Sequence, residues 1–243
     1  MPDHPSGVLF ADRREAGRQL ARALLRLTLA SPLVLALPRG GVPVAAEIAE
    51  ALRAPLDVLL VRKLGAPGAP EVGIGALVEG EAEPYLNPET VAGLAVSTGH
   101  IAREVEIQRA VLDRQRQVYR DGRSPPDVKG ETVVLVDDGI ATGGTALAAV
   151  AALRRRGAKR IVLAVPVAPS GTLPMLQRAA DEVVCLASPS PFGAVSLFYE
   201  SFEQTTDEEV MSLLAAAGSH AAESVYRKEI VTADPARPVA TKC

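Results

Sequence analysis

The segment Val133–Thr145, VVLVDDGIATGGT, places two carboxylates directly after an apolar run and a loop of small residues directly after the carboxylates. Successive backbone N–H groups in such a loop, at the start of a helix, form a nest for a phosphate. Asp137 and Asp138 cannot bind phosphate, but they suit the hydroxyls of a ribose or the shell of a Mg²⁺ ion. The segment therefore predicts a site for a ribose 5-phosphate. The alternative is a Gly-rich turn in which Asp138 only caps the helix.

Two other loops carry cations at the ends of apolar runs. In LPRGGVPVA, Arg39 supplies a forked cation, and Gly40 and Gly41 allow unusual backbone angles, which suits a second anionic group. In VRKLGAPGAPEVG, Arg62 and Lys63 precede a stretch rich in Gly and Pro, which predicts a mobile lid that carries cations. The alternatives are an ordinary strand–helix turn for the first loop and a solvated surface loop for the second.

The elements that must position these loops alternate between strand and helix. The runs LVLALP, LDVLLVRK, VVLV, KRIVLAVPVA and EVVCLA predict buried strands, and amphipathic segments such as ADRREAGRQLARALLRL predict helices. This alternation predicts a three-layer α/β fold with a mainly parallel central sheet flanked by helices. The loops Arg39–Gly41, Arg62–Gly75 and Asp137–Thr145 then meet at the carboxyl ends of the strands, where such folds bind ligands.

Composition limits the organisation and the partners. The chain has 243 residues, 48% hydrophobic, with a net charge of −3, which predicts a single domain over 1–218 and a flexible tail over 219–243. An insertion over 80–122 is expected to form a small hood or a dimer element. The mild acidity argues against general nucleic-acid binding. Cys185 and Cys243 give no disulfide framework and suit the cytoplasm, and no segment has the length and apolar character of a membrane span.

Three of these segments resemble one known family. VVLVDDGIATGGT is similar to the signature of type I phosphoribosyltransferases, PRGGVPVA resembles the pyrophosphate loop of that family, and VRK resembles the base of its flexible loop. The resemblance covers roughly Leu33 to Leu186. The whole chain is also similar to a bacterial subgroup of phosphoribosyltransferase-like proteins with no assigned acceptor.

The resemblance implies a role for each loop. Asp137 and Asp138 would hold the 2- and 3-hydroxyls of phosphoribosyl pyrophosphate (PRPP) and meet Mg²⁺ indirectly, and Arg39 would meet the pyrophosphate, with a cis peptide bond expected at Pro38–Arg39. The implied catalytic residues are Arg39, Lys63, Asp137 and Asp138. The implied PRPP site comprises Arg39, Gly40, Gly41, Lys63, Asp137, Asp138, Gly139, Ala141, Thr142, Gly143, Gly144 and Thr145.

The expected reaction is transfer of the phosphoribosyl group from PRPP to a nitrogen acceptor, a nucleobase being the expected one, with release of pyrophosphate. Ala141 stands where family members acting on 6-oxopurines often have Asp, which disfavours hypoxanthine and guanine. Phe192 or Phe198, in SPSPFGAVSLFYESF, could stack on the base; the alternative is that both are core aromatics.

Two rival classes of function remain at the level of sequence. A non-catalytic PRPP-binding regulator would need a nucleic-acid surface, and the helix Arg103–Arg120 is the candidate. Glu104, Glu106 and Asp113 counter its arginines, so a solvated face or a homodimer contact is the favoured interpretation of that helix. A hydrolase of phosphorylated sugars would need a nucleophile–base pair, and none is readable.

Overall fold

The computed structural model describes residues 7–120 and 123–217, and the predicted tail over 219–243 lies outside them. In chain order the elements are α1 (Arg13–Leu24), β1 (Leu33–Ala36), α2 (Gly41–Leu52), β2 (Leu56–Val58), β3 (Val61–Ala66), β4 (Ala69–Val78), β5 (Tyr85–Leu86), α3 (Pro88–Gly93), α4 (Thr98–Arg120), β6 (Thr132–Val136), α5 (Gly144–Arg155), β7 (Arg160–Val167), α6 (Leu173–Ala179) and β8 (Glu182–Ala187). A 3₁₀ turn at Val195–Phe198 follows, and residues 207–217 form a last helix, α7.

Five strands form a parallel sheet in the order β2-β1-β6-β7-β8. Alternate residues of the strands face opposite layers, because side chains of a strand alternate between its two faces. One core contains Val34, Ala36, Val134 and Val136 with residues of α1, α2 and α7; the other contains Leu35, Val133 and Leu135 with residues of α5 and α6. The predicted three-layer α/β fold is confirmed.

The chain order reverses between β1 and β6. From β1 the chain builds outward to β2, and from β6 it builds outward in the other direction to β7 and β8. Ligands of open parallel sheets bind where the order reverses, outside the carboxyl ends of the two central strands. The loops that begin at Leu37 and Asp137 leave the sheet at this point.

The Gly- and Pro-rich segment after β2 differs from its prediction. LDVLLVRK does not form one strand, because β2 ends at Val58 in the parallel sheet and β3 starts at Val61 in a separate antiparallel sheet of order β3-β4-β5. The expected mobile loop forms the β3–β4 hairpin instead. Gly75 permits β5 to pair with β4, since a Cβ there would overlap the backbone carbonyl of Tyr85 on β5. The layer outside the parallel sheet therefore includes 61–78 as well as the predicted insertion.

A buried ion cluster fastens this outer layer to the parallel sheet. Arg120, at the end of α4, is 2% exposed, and its guanidinium bonds both oxygens of Glu79 and both oxygens of Asp57. It also donates to the carbonyl of Val58 at 2.7 Å, and Glu79 accepts the N–H of Leu60 at 3.1 Å. One guanidinium thus connects α4, the end of β4 and the end of β2.

In the part of the chain that the structure describes, no helix is both long enough and apolar enough to cross a membrane.

Candidate active site

The loops after β1 and β6 lie against each other. The N–H of Leu37 donates to the carbonyl of Val136 at 2.8 Å, so the loops leave the sheet side by side. A Cβ on Gly40 would overlap the Asp138 carboxylate, and one on Gly41 would lie 2.8 Å from the carbonyl of Val136. These two glycines therefore permit the close approach of the loops. The Pro38–Arg39 peptide bond is cis, as predicted.

Asp137 and Asp138 form a tightly coupled, largely buried pair. The backbone N–H of Asp138 donates to Asp137 Oδ1 at 2.9 Å. Burial and the charge of Asp138 raise the pKa of the Asp137 carboxyl well above its ordinary value. Burial also raises the pKa of Asp138, although the guanidinium of Arg13 opposes it. The pair resists carrying two negative charges, so hydroxyl donors or cations brought by a ligand would stabilise the doubly ionised form.

Asp138 is held by residues far away in the sequence. Arg13 Nε, from the first turn of α1, lies 2.8 Å from Asp138 Oδ2. The hydroxyl of Tyr199 donates to the backbone carbonyl of Asp138 at 2.5 Å, and burial raises the pKa of that hydroxyl. Sequence reasoning missed both residues, because nothing in the local pattern of α1 or of the segment around Tyr199 indicates a partner 125 or 61 residues away.

The loop after the carboxylates presents free backbone donors. Within the described residues, the N–H groups of residues 141–146 donate no hydrogen bond. The N–H of Ile140 anchors the loop on the carbonyl of Val167 at 2.9 Å. Gly143, with φ of 83°, is the N-cap of α5, and no side chain caps this helix, so the alternative role of Asp138 as a helix cap is wrong. The arrangement is that of an anion nest at a helix N-terminus.

Arg39 lies in the neighbouring loop, which follows β1. Its guanidinium Nη1 is 3.8 Å from Asp207 Oδ1, at the start of α7, and about a third of its side chain is exposed. Within the described residues the backbone N–H groups of Arg39 and Gly40 donate no hydrogen bond. This loop therefore offers a cation and two backbone donors beside the carboxylate pair.

Lys63 is placed differently. It lies on β3, and its ammonium donates to the carbonyl of Glu71 on the facing strand at 2.9 Å. Among the contacts of the described residues, none joins Lys63 to Arg39 or to the two aspartates. The structure thus brings together the two predicted loops after β1 and β6. Lys63, the predicted lid cation, lies on the β3–β4 hairpin and makes no contact with them among the described residues.

The two predicted acceptor-binding aromatics lie in a small third core. Phe198 is 6% exposed and packs with Phe10, Ala16, Val167 and Tyr199. The ring of Phe192 packs against Phe198 with centroids 5.0 Å apart. These contacts favour the alternative interpretation of Phe198 as a core aromatic.

Comparison with known proteins identifies a family and several relatives. The family model described as the phosphoribosyl transferase domain matches residues 13–199. Two proteins of Mycobacterium tuberculosis, from strains CDC 1551 and H37Rv, are named as proposed phosphoribosyl transferases. Each is 46% identical over 216 residues, which are 89% of this chain and 48% of the relative, so the chain spans about half the length of these curated relatives.

Two further matches differ in extent: a solved structure matches most of the chain, and an enzyme matches a shorter segment. The crystal structure of TT1426 from Thermus thermophilus is 45% identical with a TM-score of 0.75, and the match covers 86% of this chain and 99% of that one. A ribose-phosphate pyrophosphokinase of Thermococcus kodakarensis is 40% identical over 77 residues, 30% of this chain and 28% of the relative.

Proposed function

Since the chain belongs to the phosphoribosyl transferase domain family, we propose that it binds PRPP with Mg²⁺ and transfers the 5-phosphoribosyl group to a nitrogen acceptor, releasing pyrophosphate. One observation supports this proposal above the others. A buried carboxylate pair and a nest of free N–H groups start side by side at the point where the strand order reverses.

The nest suits the 5-phosphate of the ligand. Its six N–H donors over 141–146 have no partner within the described chain, and they lie at the positive end of the twelve-residue helix α5. The hydroxyls of Thr142 and Thr145 would add donors at the same place. A Cβ on Gly144 would meet no atom within 4 Å, so the space at this position is open, whereas Gly143 permits the close packing of the loop on Met175 and Thr172 of the neighbouring segment.

The carboxylate pair suits the ribose ring. Its hydroxyls would donate to Asp137 and Asp138, and these hydrogen bonds favour the ionised carboxylates that burial disfavours in the free protein. The ring would then sit between the nest and the Arg39 loop, with its pyrophosphate directed towards Arg39 and the N–H groups of Arg39 and Gly40.

The residues present fit Mg²⁺ in one way. Magnesium in proteins usually keeps several waters and binds substrate phosphates, so Asp137 and Asp138 would meet the ion indirectly, through its waters or through the hydroxyls of PRPP. When bound, Mg²⁺ would neutralise charge on the pyrophosphate oxygens. The chain itself would contribute Arg39. Lys63 would contribute after its ammonium leaves the carbonyl of Glu71.

Asp137, Asp138 and Arg39 would act on the reaction through their charges. Cleavage of the bond between C1 and the pyrophosphate oxygen leaves positive charge on the ribose ring and negative charge on the leaving group, as in glycoside hydrolysis. The carboxylates below the ring would favour the first charge, and Arg39 the second. Electrostatic donors placed in this way are each worth on the order of 2–4 kcal/mol in the transition state. The nitrogen of the acceptor then bonds C1, and its proton passes to water or to the departing pyrophosphate.

The proposal is tested by pyrophosphate release from PRPP and Mg²⁺ across a panel of nucleobases and small amines, with PRPP affinity measured by calorimetry on the same protein. Acceptor-dependent release with any member of the panel supports transfer. Tight PRPP binding without release from the panel would favour a PRPP-binding regulator instead. Absence of heat for both PRPP and ribose 5-phosphate at millimolar concentration would overturn the proposed site as well.

A further inference from the structure

The carboxylate of Asp138 is in close contact with a glycine and with an arginine. Gly40 lies so close to Asp138 Oδ2 that a Cβ there would overlap it. Arg13 Nε lies 2.8 Å from the same oxygen, and the side chains of Arg13 and Asp138 are only 12% and 15% exposed. The carboxylate therefore cannot rotate freely, and its Oδ2 is already engaged in the ligand-free protein.

Arg13 is itself fixed by the segment that follows the 3₁₀ turn. Its guanidinium carbon lies 3.7 Å from the ring centroid of Phe202, and its Nη1 donates to the carbonyl of Glu203 at 2.6 Å. The guanidinium is thus fixed by Asp138, Phe202 and Glu203. Because its donors form a rigid planar fork, it can in turn fix the orientation of the carboxylate that it bonds. The same contacts would not be available to the flexible ammonium of a lysine.

We infer that Arg13 is a positioning residue for the reaction: it fixes the Asp138 carboxylate so that Oδ1 remains as the oxygen that accepts from a ribose hydroxyl. This inference rests on the proposed function, because it assigns a geometry to the ribose-binding carboxylate. Arg13 touches Asp138 and does not need to touch the ligand. Its effect should therefore be confined to ligands that carry a ribose.

The test compares two ligands on two variants. Binding of ribose 5-phosphate and of Mg²⁺-pyrophosphate is measured by calorimetry on wild type, Arg13→Ala and Arg14→Ala. Arg14 is the matched control, since it is the next residue of α1 and pairs with Glu47 on the surface, with its side chain 48% exposed. Arg13→Ala should weaken ribose 5-phosphate about tenfold, the effect of one charge-assisted contact, and leave pyrophosphate unchanged. Arg14→Ala should change neither.

A double-mutant cycle and a conservative variant complete the test. In an Asp138→Ala background the further change Arg13→Ala should have no effect on ribose 5-phosphate, because Arg13 acts through Asp138. Arg13→Lys keeps the charge and should recover part of the affinity; if Arg13→Ala does not fold, Arg13→Lys is compared with wild type and should weaken ribose 5-phosphate alone. Three outcomes would overturn the inference while leaving the proposed function intact. They are an equal loss of affinity for both ligands, no loss of affinity, and an effect of Arg13→Ala that is the same in the Asp138→Ala background. Failure of wild type to bind either ligand would overturn both.

Discussion

The fold places Asp137 where the ionised form of its carboxyl group is disfavoured. Burial and the charge of Asp138 raise its pKa in the folded protein, whereas the unfolded chain ionises it in the ordinary carboxyl range. As pH rises from the unfolded pKa towards the folded one, the unfolded state loses its proton first and is favoured. The site thus stores a stability cost that a bound ribose would relieve.

Asp137→Asn should therefore stabilise the ligand-free protein. Asparagine keeps the oxygen that accepts the N–H of Asp138 and removes the charge, so we expect a gain of about 0.5–2 kcal/mol at neutral pH. The gain should shrink as pH falls and vanish below about 4, because both states then hold the proton. Urea unfolding of the two proteins across this range measures it. A gain independent of pH, or a loss at neutral pH, would contradict the electrostatic explanation.

Asp138→Asn addresses the transition state. The change preserves shape and, in the proposed reaction, would remove one charge beside the ribose ring, which carries positive charge only in the transition state. We expect turnover to fall roughly ten- to a hundredfold, the equivalent of about 1.5–3 kcal/mol, with a smaller loss of PRPP affinity. Steady-state pyrophosphate release and calorimetry measure the two quantities. Asp113→Asn, an exposed carboxylate on α4 that pairs with Arg116, serves as the control, and equal losses in turnover and affinity would argue against a role in the transition state.

At the residue scale, the sequence predicts the part of the site that is contiguous. The carboxylates and the nest lie in one short stretch, Val133–Thr145, between a strand and a helix. A local pattern of residues can therefore indicate them. Arg13 and Tyr199 reach Asp138 across 125 and 61 residues, and their types are ordinary for a helix start and a small aromatic core. Only the folded chain shows that they share a partner.

At the scale of elements, hydrophobic pattern predicts strands but not the sheet to which a strand belongs. β2 and the start of β3 fall in one predicted strand, LDVLLVRK, yet Leu59 N–H still bonds β1 while Leu60 N–H bonds Glu79. The switch of sheet depends on that buried carboxylate and on Arg120, far along the chain. Likewise, glycines that indicate a loop by composition here permit close approach of neighbouring strands.

Glu79→Ala should weaken this junction strongly. Glu79 is 1% exposed, and its removal leaves the buried guanidinium of Arg120 with a single carboxylate and leaves the N–H of Leu60 without its acceptor. Removing one partner of a buried ion pair costs about 3–5 kcal/mol. Urea unfolding measures the loss, and Asp113→Ala, an exposed carboxylate, should change stability little. Equal effects of the two substitutions would show that the cluster does not hold the layers together.

Asp207 connects the last helix to the predicted pyrophosphate loop. Its Oδ1 lies 3.8 Å from Arg39 Nη1 and accepts the hydroxyl of Tyr119. Asp207→Asn keeps an acceptor for Tyr119 but frees Arg39 from a competing anion. Exposed ion pairs contribute up to about 1 kcal/mol, so the affinity for Mg²⁺-pyrophosphate should rise by no more than about fivefold. Calorimetry with pyrophosphate measures it; unchanged or weaker binding would show that Asp207 does not compete for Arg39.

At the scale of the whole molecule, the site draws on elements from both faces of the parallel sheet. The parallel sheet divides two aliphatic cores, α1 reaches Asp138 through Arg13, and α7 reaches Arg39 through Asp207. A ligand that spans the nest, the carboxylates and Arg39 would therefore contact loops that are anchored in different layers.

This arrangement predicts that PRPP with Mg²⁺ stabilises the whole folded chain. A ligand that binds only the folded state, at about 100 times its dissociation constant, adds about 2.7 kcal/mol, which corresponds to roughly 5–11 °C in Tm for a domain of this size. Ribose 5-phosphate and pyrophosphate should each raise Tm at higher concentration, and PRPP should act at far lower concentration because its two anionic groups are linked. Scanning calorimetry with each ligand, on wild type and on Asp138→Ala, measures the shifts. Asp138→Ala should lose most of the ribose 5-phosphate shift and keep the pyrophosphate shift. A PRPP shift no greater than that of pyrophosphate at equal concentration would show that the nest and the carboxylates do not bind the sugar phosphate.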